Sequence, residues 1–161
     1  MRNVSEQRRT HGRTGAVYSY LMPSVHDGPF EAGDVHGPRP PAGHYSPTFA
    51  VGDLVFVSGQ LPIDRNGVPL ADRPFAEQVA QVLENVQVCL ESRGLTPHHL
   101  AQVRVYVSDI DRWPEFDALY AQWIGDHRPA RAVVPVPVLH HGVALEIEAV
   151  ASGRVNPDGP M

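Results

Sequence analysis

The stretch VALEIEAVA, residues 143–151, alternates strictly between two sets of side chains. The apolar set is Leu145, Ile147 and Ala149. The opposite set is Ala144, Glu146 and Glu148. Because successive side chains of a β-strand point to opposite faces of its sheet, this pattern predicts a strand with one face in the core. The other face of the same strand then carries two carboxylates.

Two amphipathic helices are predicted upstream of this strand. Apolar side chains recur at helical spacing over residues 75–90, and Gly94 follows the last of them. In the second helix the apolar face covers residues 116–124. We expect Asp111 to cap its beginning and Gly125 to end it.

The remaining ordered segments are predicted to be strands. TFAVGDLVFVSGQLP (48–62) contains two apolar runs around the turn dipeptide Gly52-Asp53, which predicts a β-hairpin. QVRVYV (102–107) alternates, and RAVVPVPVL (131–139) is held extended by β-branched residues and prolines. The order β-β-α-β-α-β-β predicts an α+β fold with two helices packed on one face of a mixed sheet. The other face requires water, the N-terminal segment or another subunit as cover.

Two prolines suggest where the sheet ends. Pro135 and Pro137 are two residues apart, so their missing N–H donors fall along the same edge of their strand. A continuous ladder cannot form there. We therefore expect that edge to be free, bulged or turned toward an interface.

The 161 residues are expected to form one domain between two less regular ends. Residues 1–43 are predicted to be a flexible extension rich in proline and glycine, which includes the apolar piece AVYSYLM (16–22). The folded domain is expected over residues 44–154, and residues 155–161 are expected to be a tail. The sequence has neither a membrane-span-length apolar run nor a secretory signal pattern, and its single cysteine agrees with a reducing compartment, so we expect a cytoplasmic protein.

Several kinds of chemistry are excluded by composition and motif. All 13 basic residues are arginines, so there is no lysine for a Schiff base or a phosphate-binding P-loop. The dinucleotide, zinc-protease and nucleophile-elbow motifs are also absent. The adjacent histidine pairs 98–99 and 140–141 suit joint metal coordination poorly, since neighbours on a strand point apart. We expect neither a metal nor an organic cofactor, and the net charge of −5 gives no reason to expect a nucleic-acid partner.

Arg131, Glu146 and Glu148 remain as candidates for chemistry. Arg131 stands at the head of an apolar segment, and its planar fork suits a ligand carboxylate because it donates two parallel charge-assisted hydrogen bonds. A nearby glutamate could orient or deprotonate a water. Two alternatives stay open: Arg131 forms a structural ion pair with Glu146 or Glu148, or Glu148 is simply a solvent-facing strand residue.

At these residues the sequence resembles the RidA/YjgF family of enamine/imine deaminases. The resemblance is carried by YSP, GDLVFVSGQLPID, LENV, FDALYAQW, RPAR and ALEIEAVA, in this order between Tyr45 and Ala151. It implies a chorismate-mutase-like α+β fold that assembles as a homotrimer, with the bare sheet faces lining the centre. It also implies active clefts between subunits.

The resemblance assigns roles to individual residues. Arg131 is implied to bind the substrate carboxylate, and Glu146 is implied to position the attacking water. The residues that correspond to the family's substrate-binding positions are Tyr45, Ser58, Gly59, Asp117 and Arg131. We accordingly expect the Arg131 guanidinium to lie uncovered in a crevice between subunits, free to bind an anion.

The activity that the resemblance implies is hydrolysis of a 2-imino or enamine acid of the 2-aminoacrylate type, which gives a 2-keto acid and ammonia without a cofactor. Three departures from the family pattern bear on the substrate: Asp117 replaces asparagine, Ala132 and Val133 replace serine and cysteine, and Pro135 replaces an acidic residue. A pathway-specific substrate and a non-catalytic ligand-binding trimer therefore stay open. RNA cleavage is a weaker alternative, because the chain lacks interleaved basic and aromatic residues.

Overall fold

The computed structural model describes residues 37–154, which form one five-stranded mixed sheet and two α-helices. The strands are β1 (Thr48–Val51), β2 (Leu54–Gln60), β3 (Leu100–Val107), β4 (Ala130–Pro135) and β5 (Leu145–Ser152). The helices are α1 (Phe75–Glu91) and α2 (Trp113–Ile124). The spatial order is β1-β2-β5-β3-β4, in which β3 and β4 are parallel and the other neighbours are antiparallel. The predicted order of elements and the α+β class are confirmed.

Strand alternation places the core on one side of the sheet, which we call the helix-covered face. Along β5, Leu145 and Ile147 are buried and belong to the same core cluster as α1 and α2 side chains. Along β3, Val103 and Val105 do the same. Cys89 of α1 lies in this core, and burial raises the pKa of its thiol to about 12. It is therefore a packing residue, as its position in the helical pattern predicts.

The opposite side of the sheet, which we call the open face, carries a mixed set of side chains. They are Phe49, Val51, Leu54, Phe56, Arg104, Tyr106, Glu146 and Glu148. Phe49 and Phe56 are cross-strand partners and are 63% and 43% exposed, so no described element covers them. On the same face Glu148 accepts hydrogen bonds from Arg104 at 2.7 Å and from the Tyr106 hydroxyl at 3.1 Å. Glu148 is thus a partly exposed strand residue held in an ion pair.

The beginning of α2 differs from the prediction. Asp111 does not cap the helix; it lies in a short 3-10 helix, Ile110–Arg112, that leads into α2. Asp109 caps this 3-10 helix, because its carboxylate accepts a hydrogen bond from the Asp111 backbone N–H at 3.0 Å. The N-cap residue of α2 itself is Arg112, whose side chain makes no capping hydrogen bond, so the extra 3-10 turn separates Asp111 from the position predicted for it.

The edge predicted from the prolines is confirmed. β4 is the outermost strand beside β3, and the Val136 N–H donates to the Val107 carbonyl at 2.9 Å. Because Val136 directs its N–H toward β3, the missing donor of Pro135, the last residue of β4, falls on the outer side, whereas Pro137 lies beyond the strand.

The predicted N-terminal extension is described only from residue 37, where Pro38 is already buried. The apolar piece at residues 16–22 and the predicted tail at 155–161 lie outside the described residues. Within residues 37–154, neither helix has the length and apolar character needed to cross a membrane.

Gln78 is a buried polar residue that ties α1 to two loops. It is 4% exposed, and its amide nitrogen donates to the backbone carbonyls of Arg73 at 2.9 Å and Ala71 at 3.3 Å. Its amide oxygen accepts the backbone N–H of Ala144, just before β5, at 2.8 Å. One side chain therefore forms hydrogen bonds with the loop before α1 and with the residue before β5.

Gln78→Leu should destabilise the fold strongly. A leucine of similar size removes the three hydrogen bonds and leaves their backbone partners without replacements. Since an unsatisfied buried polar group costs about 1–3 kcal/mol, we expect a loss of roughly 3 kcal/mol or more in the free energy of unfolding. Chemical denaturation measures this loss, with the exposed Gln122→Met as the matched control. Equal stability of the two variants would contradict the role given to Gln78.

Candidate active site

A bulge in β2 shapes one part of the candidate site. The register between β2 and β5 shifts between Val57 and Gln60, so Ser58 and Gly59 leave the regular ladder. The Ser58 hydroxyl donates to the Ser46 carbonyl at 2.6 Å, and its N–H donates to the Pro47 carbonyl at 3.0 Å. These bonds hold the segment that precedes β1, where Tyr45 is 50% exposed.

Glu146 lies directly against this bulge. A methyl group at Gly59 would overlap the Glu146 carboxylate, so the carboxylate can lie against the bulge only because residue 59 has no side chain. Within residues 37–154 no hydrogen-bond donor contacts that carboxylate, although its residue is only partly exposed. Burial raises the pKa of Glu146, and the negative charge of Glu148 raises the pKa further, while His140 opposes both effects. The site therefore contains a carboxylate with unused acceptors and increased basicity.

Gly59→Ala tests this arrangement. The added methyl group forces the Glu146 carboxylate away from the bulge, while the backbone of Gly59 needs no left-handed conformation that alanine would resist. If Glu146 acts at this position, we expect at least a tenfold loss in kcat with an intact fold, because a misplacement of about 1 Å is costly to catalysis. Turnover assays and circular dichroism measure the two quantities. Unchanged turnover would place the chemistry elsewhere.

Arg131 lies on a different part of the molecule. It belongs to β4 and pairs in register with Val103, which puts its side chain on the helix-covered face. The guanidinium lies 4.7 Å from the ring centroids of both Trp113 and Tyr120 of α2. It donates to Asp117, also on α2, at 2.6 Å, and its side chain is 24% exposed. Two aromatic rings and a carboxylate thus fix the guanidinium plane.

The prediction of an uncovered guanidinium is therefore wrong for the single chain, because Asp117 is already bound to it. The alternative of an ion pair with Glu146 or Glu148 is also not what forms, since both glutamates lie on the open face. Sequence reasoning missed the aromatic support. The signal was present as the spacing of Trp113, Asp117 and Tyr120 at i, i+4 and i+7, which places all three on the same side of a helix.

The candidate residues consequently form two half-sites on opposite faces of the sheet. We call Arg131 and Asp117, with their two aromatic rings, the cationic half-site. We call Ser58, Gly59 and Glu146 the glutamate half-site; Tyr45 precedes the segment that Ser58 holds through Ser46 and Pro47. β3 lies between β4 and β5, so one chain does not bring Arg131 and Glu146 together. A small ligand that contacts both must bind between two chains.

The surface grooves do not change this division. A groove of about 1280 Å³ runs beside α1 and is lined in part by Tyr45 and Gly59. A smaller one of about 330 Å³ on the open face includes Ser58 and Glu148. Neither includes Arg131 or Glu146. Among residues 37–154, no group of three or more His, Cys, Asp or Glu side chains is arranged to hold a metal ion.

The fold and the two half-sites define a class of small α+β proteins with a one-sided sheet and an arginine on its edge strand. The family model described as Endoribonuclease L-PSP matches residues 37–152, and the chain belongs to this family, which includes the YjgF, RidA and RutC proteins. Its structural neighbours in the family have the chorismate-mutase-like fold, so the fold expectation is confirmed.

Individual relatives agree with the family assignment. The chain is 35% identical over 111 residues to the RutC family protein PH0854 of Pyrococcus horikoshii, which covers 69% of this chain and 88% of the relative. The structure of the YjgF gene product from E. coli superimposes with a TM-score of 0.68 at 31% identity, covering 74% of this chain and 95% of that one. RidA from an Antarctic Psychrobacter bacterium gives a TM-score of 0.68 at 28% identity, with coverage of 73% and 94%.

Proposed function

We propose that this protein is a hydrolytic deaminase of reactive 2-imino and enamine acids that works as a homotrimer. Its active sites would lie where the cationic half-site of one chain meets the glutamate half-site of the next. The observation that carries the proposal is that one half-site has a cation but no free base, and the other has a free carboxylate but no cation. The reaction needs both groups, and two chains can supply them together. Family membership and the similarity to RidA support the same activity.

In this proposal the cationic half-site binds the substrate. The guanidinium of Arg131 has five N–H donors, and Asp117 is bound through only one of its nitrogens. The remaining N–H groups can donate hydrogen bonds to a ligand carboxylate without displacing the aromatic rings that hold the guanidinium. Tyr45 and the Ser58–Gly59 bulge, brought by the neighbouring chain, would close the other side.

Glu146 supplies the base. It removes a proton from a water as the water oxygen bonds to the carbon of the protonated imine, and the π electron pair of the C=N bond moves to nitrogen, which gives a neutral carbinolamine. Glu146 then returns its proton to the carbinolamine nitrogen, the C–N bond breaks, and its electron pair leaves with ammonia. Loss of the hydroxyl proton forms the carbonyl, so one water and one imine give one 2-keto acid and one ammonia. Orientation and charge placement suffice for this step, and it requires no cofactor.

The test measures release of 2-keto acid from imines that an amino-acid oxidase generates in situ. The expected result is a faster release with the protein than in buffer alone, over substrates with small and large side chains. A protein that accelerates none of them, yet binds 2-keto acids, is a ligand-binding trimer and not an enzyme. Sedimentation of the full chain tests the homotrimer in the same preparation.

The family description names an endoribonuclease, and RNA cleavage therefore needs a direct control. The net charge of −5 opposes binding to a phosphate backbone. We expect no RNA degradation above background at physiological ionic strength. Location in the cytoplasm stays a prediction.

A further inference from the structure

The bond between Asp117 and Arg131 changes what the cationic half-site can recognise. Asp117 contacts the guanidinium at 2.6 Å, and its side chain is still 49% exposed. Within residues 37–154 no other side chain donates to that carboxylate. An anionic and a cationic group are therefore presented side by side at one accessible place.

This arrangement is a poor receptor for a simple anion. A ligand carboxylate on the free donors of Arg131 would lie next to the carboxylate of Asp117, and the two negative charges repel each other. The pair as a whole is close to neutral, so it also attracts an anion weakly from solution. A ligand that carries a positive charge beside its carboxylate removes the repulsion and gains a second ion pair.

We infer that Asp117 is a specificity-determining residue that binds the positively charged nitrogen of the ligand whose carboxylate Arg131 holds. The inference rests on the proposed function and deepens it, because a protonated 2-imino acid is a ligand of this kind. Its carboxylate and its nitrogen are attached to the same carbon, so its two charges lie close together, as the neighbouring charges of Arg131 and Asp117 require. The preferred ligand class is a zwitterion and not a plain 2-keto or 2-hydroxy acid.

The same contact has a chemical consequence. A protonated imine is the form that water attacks most readily, because the nitrogen receives the electron pair of the C=N bond without becoming an anion. Asp117 favours that form by placing a negative charge next to the N–H groups. After C–N cleavage the keto acid has lost its cationic nitrogen, so Asp117 then repels the product and assists its release.

The experiment compares two ligands that differ in one group. L-Alanine carries an ammonium where L-lactate carries a hydroxyl, and otherwise the two match. Binding to the full-length protein is followed by NMR through the indole N–H signal of Trp113, whose ring lies 4.7 Å from the Arg131 guanidinium carbon. We expect the wild type to bind L-alanine about fivefold more tightly than L-lactate, the upper end of the range of an exposed charge pair.

Asp117→Asn should reverse this preference, since the amide keeps the shape of the side chain and removes its charge. Asp117→Glu keeps the charge and should keep the preference for L-alanine. The matched control is Glu115→Gln, two residues away on α2, where the carboxylate pairs with Arg112 at 2.6 Å and not with Arg131. That variant should behave as the wild type.

The outcomes separate this inference from the proposed function. An alanine-to-lactate preference that is unchanged in Asp117→Asn, or no shift of the Trp113 signal with either ligand, overturns the role of Asp117 even if imines are hydrolysed. A reversed preference in a protein that accelerates no imine hydrolysis keeps the role of Asp117 and overturns the deaminase.

Discussion

Arg131→Ala should lower kcat/KM for imine hydrolysis by roughly 100-fold or more. The substitution removes the charge-assisted hydrogen bonds to the substrate carboxylate, each worth about 1.5–3 kcal/mol, and every 1.4 kcal/mol is a factor of ten. Most of the loss should appear in KM, because the carboxylate is bound in the ground state as well as in the transition state. Steady-state kinetics with an oxidase-generated imine measures both parameters.

The structure offers a close control for this substitution. Arg112 also forms an ion pair, with Glu115, and also lies over an aromatic ring, 4.4 Å from the centroid of Phe75. Arg112→Ala therefore removes the same kinds of interaction away from the cationic half-site and should leave KM within twofold of the wild type. Stability should change little in either variant, since exposed ion pairs contribute about 0–1 kcal/mol. Equal KM values for the two variants would show that Arg131 does not bind the substrate carboxylate.

Glu146→Gln should lower kcat by at least 100-fold, down to the rate in buffer. General-base catalysis contributes typically about 10²- to 10⁴-fold, and glutamine retains the shape of glutamate without its basicity. KM should change little, because the water and not the substrate carboxylate depends on this residue. Single-turnover measurements separate the chemical step from product release. A glutamine variant with full turnover would end the assignment of Glu146 as the base.

The pH profile gives a second reading of the same residue. Glu146 acts in its deprotonated form, and burial together with Glu148 raises its pKa above the ordinary value of 4.5. The rate should therefore fall as the pH falls through that raised pKa, so the acid limb lies above pH 4.5. Glu148→Gln is the matched control on the same strand and face. This variant should keep the full rate at pH values above the acid limb. Its acid limb should lie at lower pH than in the wild type, because the substitution removes the negative charge that raises the pKa of Glu146.

Much of the fold could be predicted from the sequence because its patterns are local. Which side chains must reach the core decides each of these patterns: the alternation in 143–151 and in 102–107, and the helical spacing in 75–90. The two prolines likewise marked an edge strand. The beginning of α2 could not be fixed from sequence, since Asp111 suits an N-cap position and only the inserted 3-10 turn, which Asp109 caps, separates it from the helix end.

The site was less predictable because it depends on which face each strand presents. Motif order pointed to Arg131 and Glu146, and the structure puts them on opposite faces, which no spacing along the chain reveals. The pairing of Arg131 with Asp117 was missed for a related reason. Asp117 could be recognised as a departure from the family pattern, but its partner lies fourteen residues away on another element.

The outer edge of β4 has a consequence for how copies of this protein approach each other. Pro135, the last residue of β4, has no N–H to donate, so a strand added along this edge would meet an interruption in its ladder of backbone hydrogen bonds. Proline on an edge strand is one of the features by which natural sheets resist edge-to-edge aggregation. We therefore expect contacts between copies at this end of β4 to depend on side chains.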